Sequence, residues 1–181
     1  MPRTPEEYKA LRNEYKPDVI KFIFLLESPP ANGGYFYDKM NLTHQVLFKA
    51  MMWCIGYEYR GLSEEIKETG LKQFQKYGCF LVDAVYTPIN NVANFRERNQ
   101  ILKDNLPNLL RDLRELGISK TVKIIAVKVN IWQIIRSQLI FRDYNVINAN
   151  VIVPFPSNGN QNRFKDAITL IKQNNNIESF C

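Results

Sequence analysis

Five apolar residues in a row, Phe22-Ile23-Phe24-Leu25-Leu26, run into Glu27 and Ser28 and then into two prolines, Pro29 and Pro30. A short run without polar alternation reads as a strand buried on both faces, the pattern of a parallel sheet. Prolines lack the N–H that a ladder needs, so the chain must leave the sheet at this point. Ligands of open α/β sheets bind just outside the carboxyl ends of the strands. The loop from Glu27 to Asp38 therefore gathers Glu27, Ser28, Asn32, Gly33, Gly34, Tyr35, Phe36 and Tyr37 at such an edge. A carboxylate, two glycines and three aromatics suit a pocket for a flat polar ring. They equally suit a Gly-rich turn with packed aromatics.

Beyond this point the pattern alternates. Core strands are expected at Val19 to Leu26, Cys79 to Tyr86 and Val122 to Val127, with an irregular fourth around Val146 to Val153. Helices are expected at Pro5 to Tyr15, Leu42 to Ile55 with Thr43 as a cap, Leu62 to Tyr77 with Ser63 near its start, Phe95 to Leu116, Ile131 to Leu139 and Asn162 to Gln173. Pro107 should kink or split the helix it falls in. Strands alternating with helices imply parallel pairing with helices on both faces. The fold expected is α/β: a three-layer α/β/α sandwich around a short, mostly parallel four-stranded sheet, in one domain spanning residues 1–181.

The formal charge of +6 favours a polyanionic partner without demanding one. Arg96, Arg98, Lys103, Arg111, Arg114, Lys120, Lys123 and Lys128 gather mid-chain and are expected to form a folded basic face rather than a disordered arm. No apolar run approaches a membrane span, and Met1 to Glu7 lacks the apolar core of a secretory signal, so a cytoplasmic protein with no membrane partner is expected. Cys54, Cys79 and Cys181 are odd in number and widely spaced, which fits free thiols, two of them buried.

Three strand-end motifs, taken in order, resemble the uracil-DNA glycosylase superfamily. The first is Leu26-Glu27-Ser28-Pro29-Pro30 followed by Tyr35-Phe36-Tyr37. The second is Leu81-Val82-Asp83-Ala84-Val85-Tyr86-Thr87-Pro88, and the third Val153-Pro154-Phe155-Pro156-Ser157-Asn158 followed by Asn162-Arg163-Phe164. The resemblance implies a domain of that family acting on DNA in base-excision repair, as a monomer that receives a flipped-out base and hydrolyses its N-glycosidic bond. It implies catalytic roles for Glu27 and Ser28, base binding by Phe36, Asp83 and Phe155, and phosphate contacts from Ser157, Asn158 and Arg163.

The chain also departs from the family pattern. Ser28 stands where many members carry Asp or Asn before the first proline, Asp83 where Asn reads the base, and Phe155 at the third-motif histidine. Glu at the position of Glu27 is similar to the iron–sulfur branch, whose cluster cysteines are missing here; no cofactor and no metal are expected. The single histidine, His44, matches no catalytic position and reads as a helix-surface or partly buried imidazole.

Breaking a deoxyribosyl N-glycosidic bond builds positive charge on the sugar and negative charge on the base. Glu27 is expected to orient a water or stabilise the sugar cation, or else to cap a helix or pair with a basic residue. Asp83, as an ionised carboxylate, accepts hydrogen bonds and donates none, which points to a base other than uracil. Without a histidine at position 155, slow chemistry is expected, so a catalytically weak or inactive nucleic-acid or nucleotide binder stands beside the enzyme reading. A small-molecule nucleoside-processing enzyme is the third reading.

Overall fold

A computed structural model describes residues 3–32, 34–43, 45–157 and 159–180, so Gly33, His44, Asn158 and Cys181 lie outside the described residues. Four parallel strands form one sheet in the order β2-β1-β3-β4: β1 (Phe22–Leu26), β2 (Cys79–Asp83), β3 (Lys123–Ala126) and β4 (Asn145–Val146). Both central strands are buried almost throughout, as expected where helices cover both faces of a parallel sheet.

The crossover from β1 to β2 carries α2 (Val46–Cys54) and α3 (Glu64–Lys76), and that from β2 to β3 carries α4 (Phe95–Asp104) and α5 (Leu106–Glu115). Short helices α6 (Val129–Ile134) and α7 (Arg136–Ile140) lead to β4, α1 (Pro5–Asn13) precedes the sheet, and α8 (Gln161–Asn174) follows it. The α2 helix packs on α3 and α8, while α4 packs on α5 and α6. Gly70 on α3 makes the first of these contacts close: a Cβ there would lie 2.6 Å from Met52 Sδ and 2.8 Å from Phe48 Cζ.

Local chemistry explains most boundaries. Thr4 and Glu7 form a reciprocal capping box on α1, and Ser63 Oγ accepts the Ile66 N–H at the start of α3. Pro107 splits the expected 95–116 helix, sitting in the first turn of α5, where its missing N–H costs nothing.

Several expectations change: β2 stops at Asp83 instead of reaching Tyr86, and the helix expected from Ile131 to Leu139 is the pair α6 and α7. Thr43 does not cap: its hydroxyl donates to Asn41 Oδ1, and α2 begins only at Val46. The first strand starts at Phe22, not Val19, whose side chain is exposed. The irregular fourth strand reduces to Asn145–Val146 plus one bridge between Val127 and Val153, because Asn148 interrupts the ladder. Its amide donates to the carbonyls of Ala126 and Val151 and accepts from Ala126 N–H, replacing backbone partners with side-chain ones.

Candidate functional site

Parallel register brings the strand ends together. Leu26 pairs with Asp83 and Leu25 with Ala126, so the chains leaving β1, β2 and β3 emerge side by side. The Val127–Val153 bridge adds the segment that leads to Phe155. These loops enclose a cavity of about 450 Å³ whose lining includes Glu27, Ser28, Phe36, Asp83, Phe155 and Ser157. Six of the eight residues singled out from the sequence therefore share one cavity. Arg163 is exposed on α8 and is not part of the lining.

Glu27 is buried, and its two carboxylate oxygens take different partners: Oε1 accepts from the Asn130 amide and Oε2 from the Lys128 ammonium. The Arg98 Nε lies 4.0 Å from Oε1. Asn130 is itself fixed, since its Oδ1 accepts the Ile131 N–H at 3.0 Å. Each oxygen keeps a second lone pair for a water or a ligand. Asn130 escaped the sequence reading, and Lys128 was read only as surface charge. The signal lay in the rule that exposed Glu27, since Lys128-Val129-Asn130 lies one residue past β3 at the carboxyl edge.

Lys128 has φ 85° and ψ 142°, a region that residues with a Cβ rarely occupy. Such a conformation costs on the order of 1–3 kcal/mol and persists only where the surroundings impose it. Here the Lys128 N–H donates to the Val153 carbonyl at 2.8 Å and the Lys128 carbonyl accepts from Trp132 N–H at 3.0 Å. The ammonium is thereby aimed into the cavity.

Asp83 differs from Glu27 in having no cation on it. Burial, the largest influence, pushes its carboxyl up to about 8; Arg12 opposes the rise, while Asp112 and Glu27 add to it. Arg12 does not outweigh burial and is itself engaged elsewhere, bidentate to Asp112 at 2.6 and 3.2 Å and bonded to the Tyr86 hydroxyl at 2.6 Å. Asp83 Oδ2 is buried with no hydrogen-bond partner, as is the Tyr35 hydroxyl. At neutral pH this side chain is mostly the protonated acid, with one donor and one acceptor.

Comparison with known proteins leaves these residues to speak for themselves: no family model matches the chain, and none of the curated proteins or solved structures does.

The remaining lining residues do more than face the cavity. Ser28 Oγ accepts the Ile89 N–H at 3.2 Å, tying the loop after β1 to the loop after β2. Phe36 is 2 % exposed, its ring edge-on to Tyr37 and Phe74 at centroid distances of 4.8 and 5.3 Å. Beneath it, Lys67 donates to the carbonyls of Tyr35, Asp38 and Asn41 at 3.3, 2.7 and 2.8 Å, which fixes the wall carrying Phe36. Phe155 is partly buried, and Ser157 Oγ has the Asn160 amide at 3.5 Å.

The basic residues expected to share one face do not all do so. Lys123 opens β3 and Lys128 follows it, which puts them at opposite edges of the sheet, because a parallel strand carries its two ends to different surfaces. Arg98 turns inward, donating to the Val92 carbonyl at 2.6 Å beside Glu27. Among the described residues no group of three or more His, Cys, Asp or Glu side chains is placed to hold a metal ion, and no helix is long and apolar enough to cross a membrane. Cys54 and Cys79 are both buried, and the Cys79 thiol donates to the Phe180 carbonyl at 3.6 Å.

Proposed function

We propose that this chain is a DNA base glycosylase-like hydrolase that receives a flipped-out base in the 450 Å³ cavity and cleaves its N-glycosidic bond. The observation that carries the reading is the meeting of two differently held carboxyls in one cavity: Glu27 against Lys128 and Asn130, Asp83 unpaired and shifted to about 8. Environments that push two acids apart divide the work between them. Glu27 lies by the sugar, where it steadies developing positive charge and takes a proton from the attacking water. Asp83 meets the base edge.

As a neutral acid, Asp83 donates and accepts, so it suits an edge with an N–H beside a carbonyl, as in uracil or hypoxanthine. This differs from the expectation based on an ionised carboxylate. Its O–H also supplies a donor to the departing base anion, the task a histidine at position 155 would otherwise perform. Phe36 and Phe155 supply apolar surface for the ring, and Ser157 with exposed Arg163 and Lys165 meets the flanking phosphates, in a cytoplasmic monomer.

The test is a panel of oligonucleotides carrying uracil, hypoxanthine, xanthine or alkylated bases, assayed for abasic sites after incubation. Base release that falls by roughly 10²-fold or more in Glu27→Gln supports the reading; no release from any member refutes it. Phe155 favours one other reading, a binder that keeps the cavity without chemistry. Salt-sensitive oligonucleotide binding without base release would place that reading first, whereas salt-insensitive cleavage of free nucleosides would point to a small-molecule enzyme.

A further inference from the structure

We propose that Lys128 gives this site a second activity: imine formation with the ring-opened sugar of an abasic site in DNA, followed by cleavage of the strand on its 3′ side. The inference rests on the reading of the cavity as a DNA site. Among the described lining residues Lys128 carries the one primary amine, and its side chain keeps 29 % of its accessibility. The strained backbone at φ 85° directs that amine toward Glu27 rather than along the sheet surface. Glycine adopts this conformation without strain, so a lysine here is held for its side chain.

Lys67 offers a contrast. It is fully buried, its three N–H groups are committed to backbone carbonyls, and it does not line the cavity. It braces the wall, whereas Lys128 faces the space a sugar would fill.

The chemistry balances without an oxidant or reductant. Glu27 takes a proton from the Lys128 ammonium, and Nζ attacks the C1′ aldehyde carbon. An N–C bond forms, and the aldehyde oxygen leaves as water after receiving protons from the amine and from Glu27. The protonated imine acidifies C2′–H; Glu27 removes that proton, and the C3′–O bond breaks with departure of the 3′-phosphate. Water then hydrolyses the imine, releasing an unsaturated aldehyde and restoring the amine. Asn130, and Arg98 at 4.0 Å, keep the Glu27 carboxylate positioned while Lys128 is covalently engaged.

The experiment uses an oligonucleotide with a preformed abasic site and sodium borohydride, which reduces an imine to a stable secondary amine. Wild type should form a covalent protein–DNA adduct that peptide mass spectrometry maps to Lys128. Lys128→Arg keeps the charge and should bind the oligonucleotide yet give background adduct, while Lys49→Arg, at an exposed position, should trap like wild type. No wild-type adduct, an equal yield from Lys128→Arg, or mapping to another amine would overturn the proposal. Should Lys128→Arg fail to fold, mapping on wild type decides alone. The abasic site is supplied, so the outcome is independent of base release: release without adduct removes only this inference, and adduct without release removes only the glycosylase reading.

Discussion

Leu26 and Asp83 face each other on the last rung of the β1–β2 ladder, which sets Glu27 one residue beyond Asp83 at the mouth of the same cavity. Two carboxyls thus share a site while meeting opposite environments. Glu27 has an ammonium and an amide; Asp83 has burial and an orphaned oxygen.

Glu27→Gln keeps the side-chain shape and removes the charge that Lys128 and Arg98 face. Base release from the preferred oligonucleotide should fall by roughly 10²–10³, the scale of losing one electrostatic contact to the transition state. Binding of the same oligonucleotide, followed by fluorescence anisotropy, should change little. Full turnover in this variant would remove Glu27 from the mechanism.

Asp83 makes both stability and base choice depend on pH. The folded protein holds the Asp83 proton up to about 8, whereas the unfolded chain releases it near the ordinary carboxyl value. Folding therefore takes up a proton between these limits, and the stability this group allows falls as pH rises from about 4 to about 8. Asp83→Asn should flatten that part of the urea-denaturation profile and leave the variant the more stable of the two at pH 9. Release of uracil-type bases by wild type should decline as pH passes 8, where the O–H is lost; Asp83→Asn should not show that limb.

Lys67→Met should destabilise the protein by roughly 2–4 kcal/mol, because the carbonyls of Tyr35, Asp38 and Asn41 lose a shared donor. Burial, the largest influence, lowers Lys67 to about 8, with Asp38 opposing it. The folded state then gives up this proton before the unfolded chain does, so wild type should gain on Lys67→Met as pH rises from 8 toward 10.5. Thermal melts of both proteins across that range measure it.

Gly70→Ala tests the α2–α3 contact. The added methyl meets Met52 Sδ and the Phe48 ring, and that ring is hemmed in by Phe36 and Tyr59. Overpacking costs roughly 1–3 kcal/mol, set against a helix-propensity gain of up to about 1 kcal/mol. A net fall in melting temperature is expected; a rise would show that the two helices separate freely.

Much of this site was legible in the linear chain for a simple reason. Apolar runs that stop at Glu27 and Asp83 mark strand ends, and parallel strands present all their carboxyl ends on one edge, so separate motifs must converge. Pro107 likewise announced a helix break, because a missing N–H acts locally. Local rules failed where a side chain offers a competing hydrogen-bond partner: Thr43 turns to nearby Asn41 instead of capping, and Asn148 replaces strand pairing with side-chain bonds to Ala126.

Charge state and pairing were decided by the tertiary structure alone. That Asp83 is mostly protonated follows from burial beside an Arg12 already occupied by Asp112, a residue 100 positions away from it along the chain. That Lys128 and Asn130 hold Glu27, and that Lys123 and Lys128 part to opposite sheet edges, follows from where β3 begins and ends in space. The sequence by itself marked where the strands end, since the apolar runs stop there and strand–helix alternation implies parallel pairing. Only folding decided what each carboxyl meets there, because desolvation and ion pairing depend on neighbours brought together from across the chain.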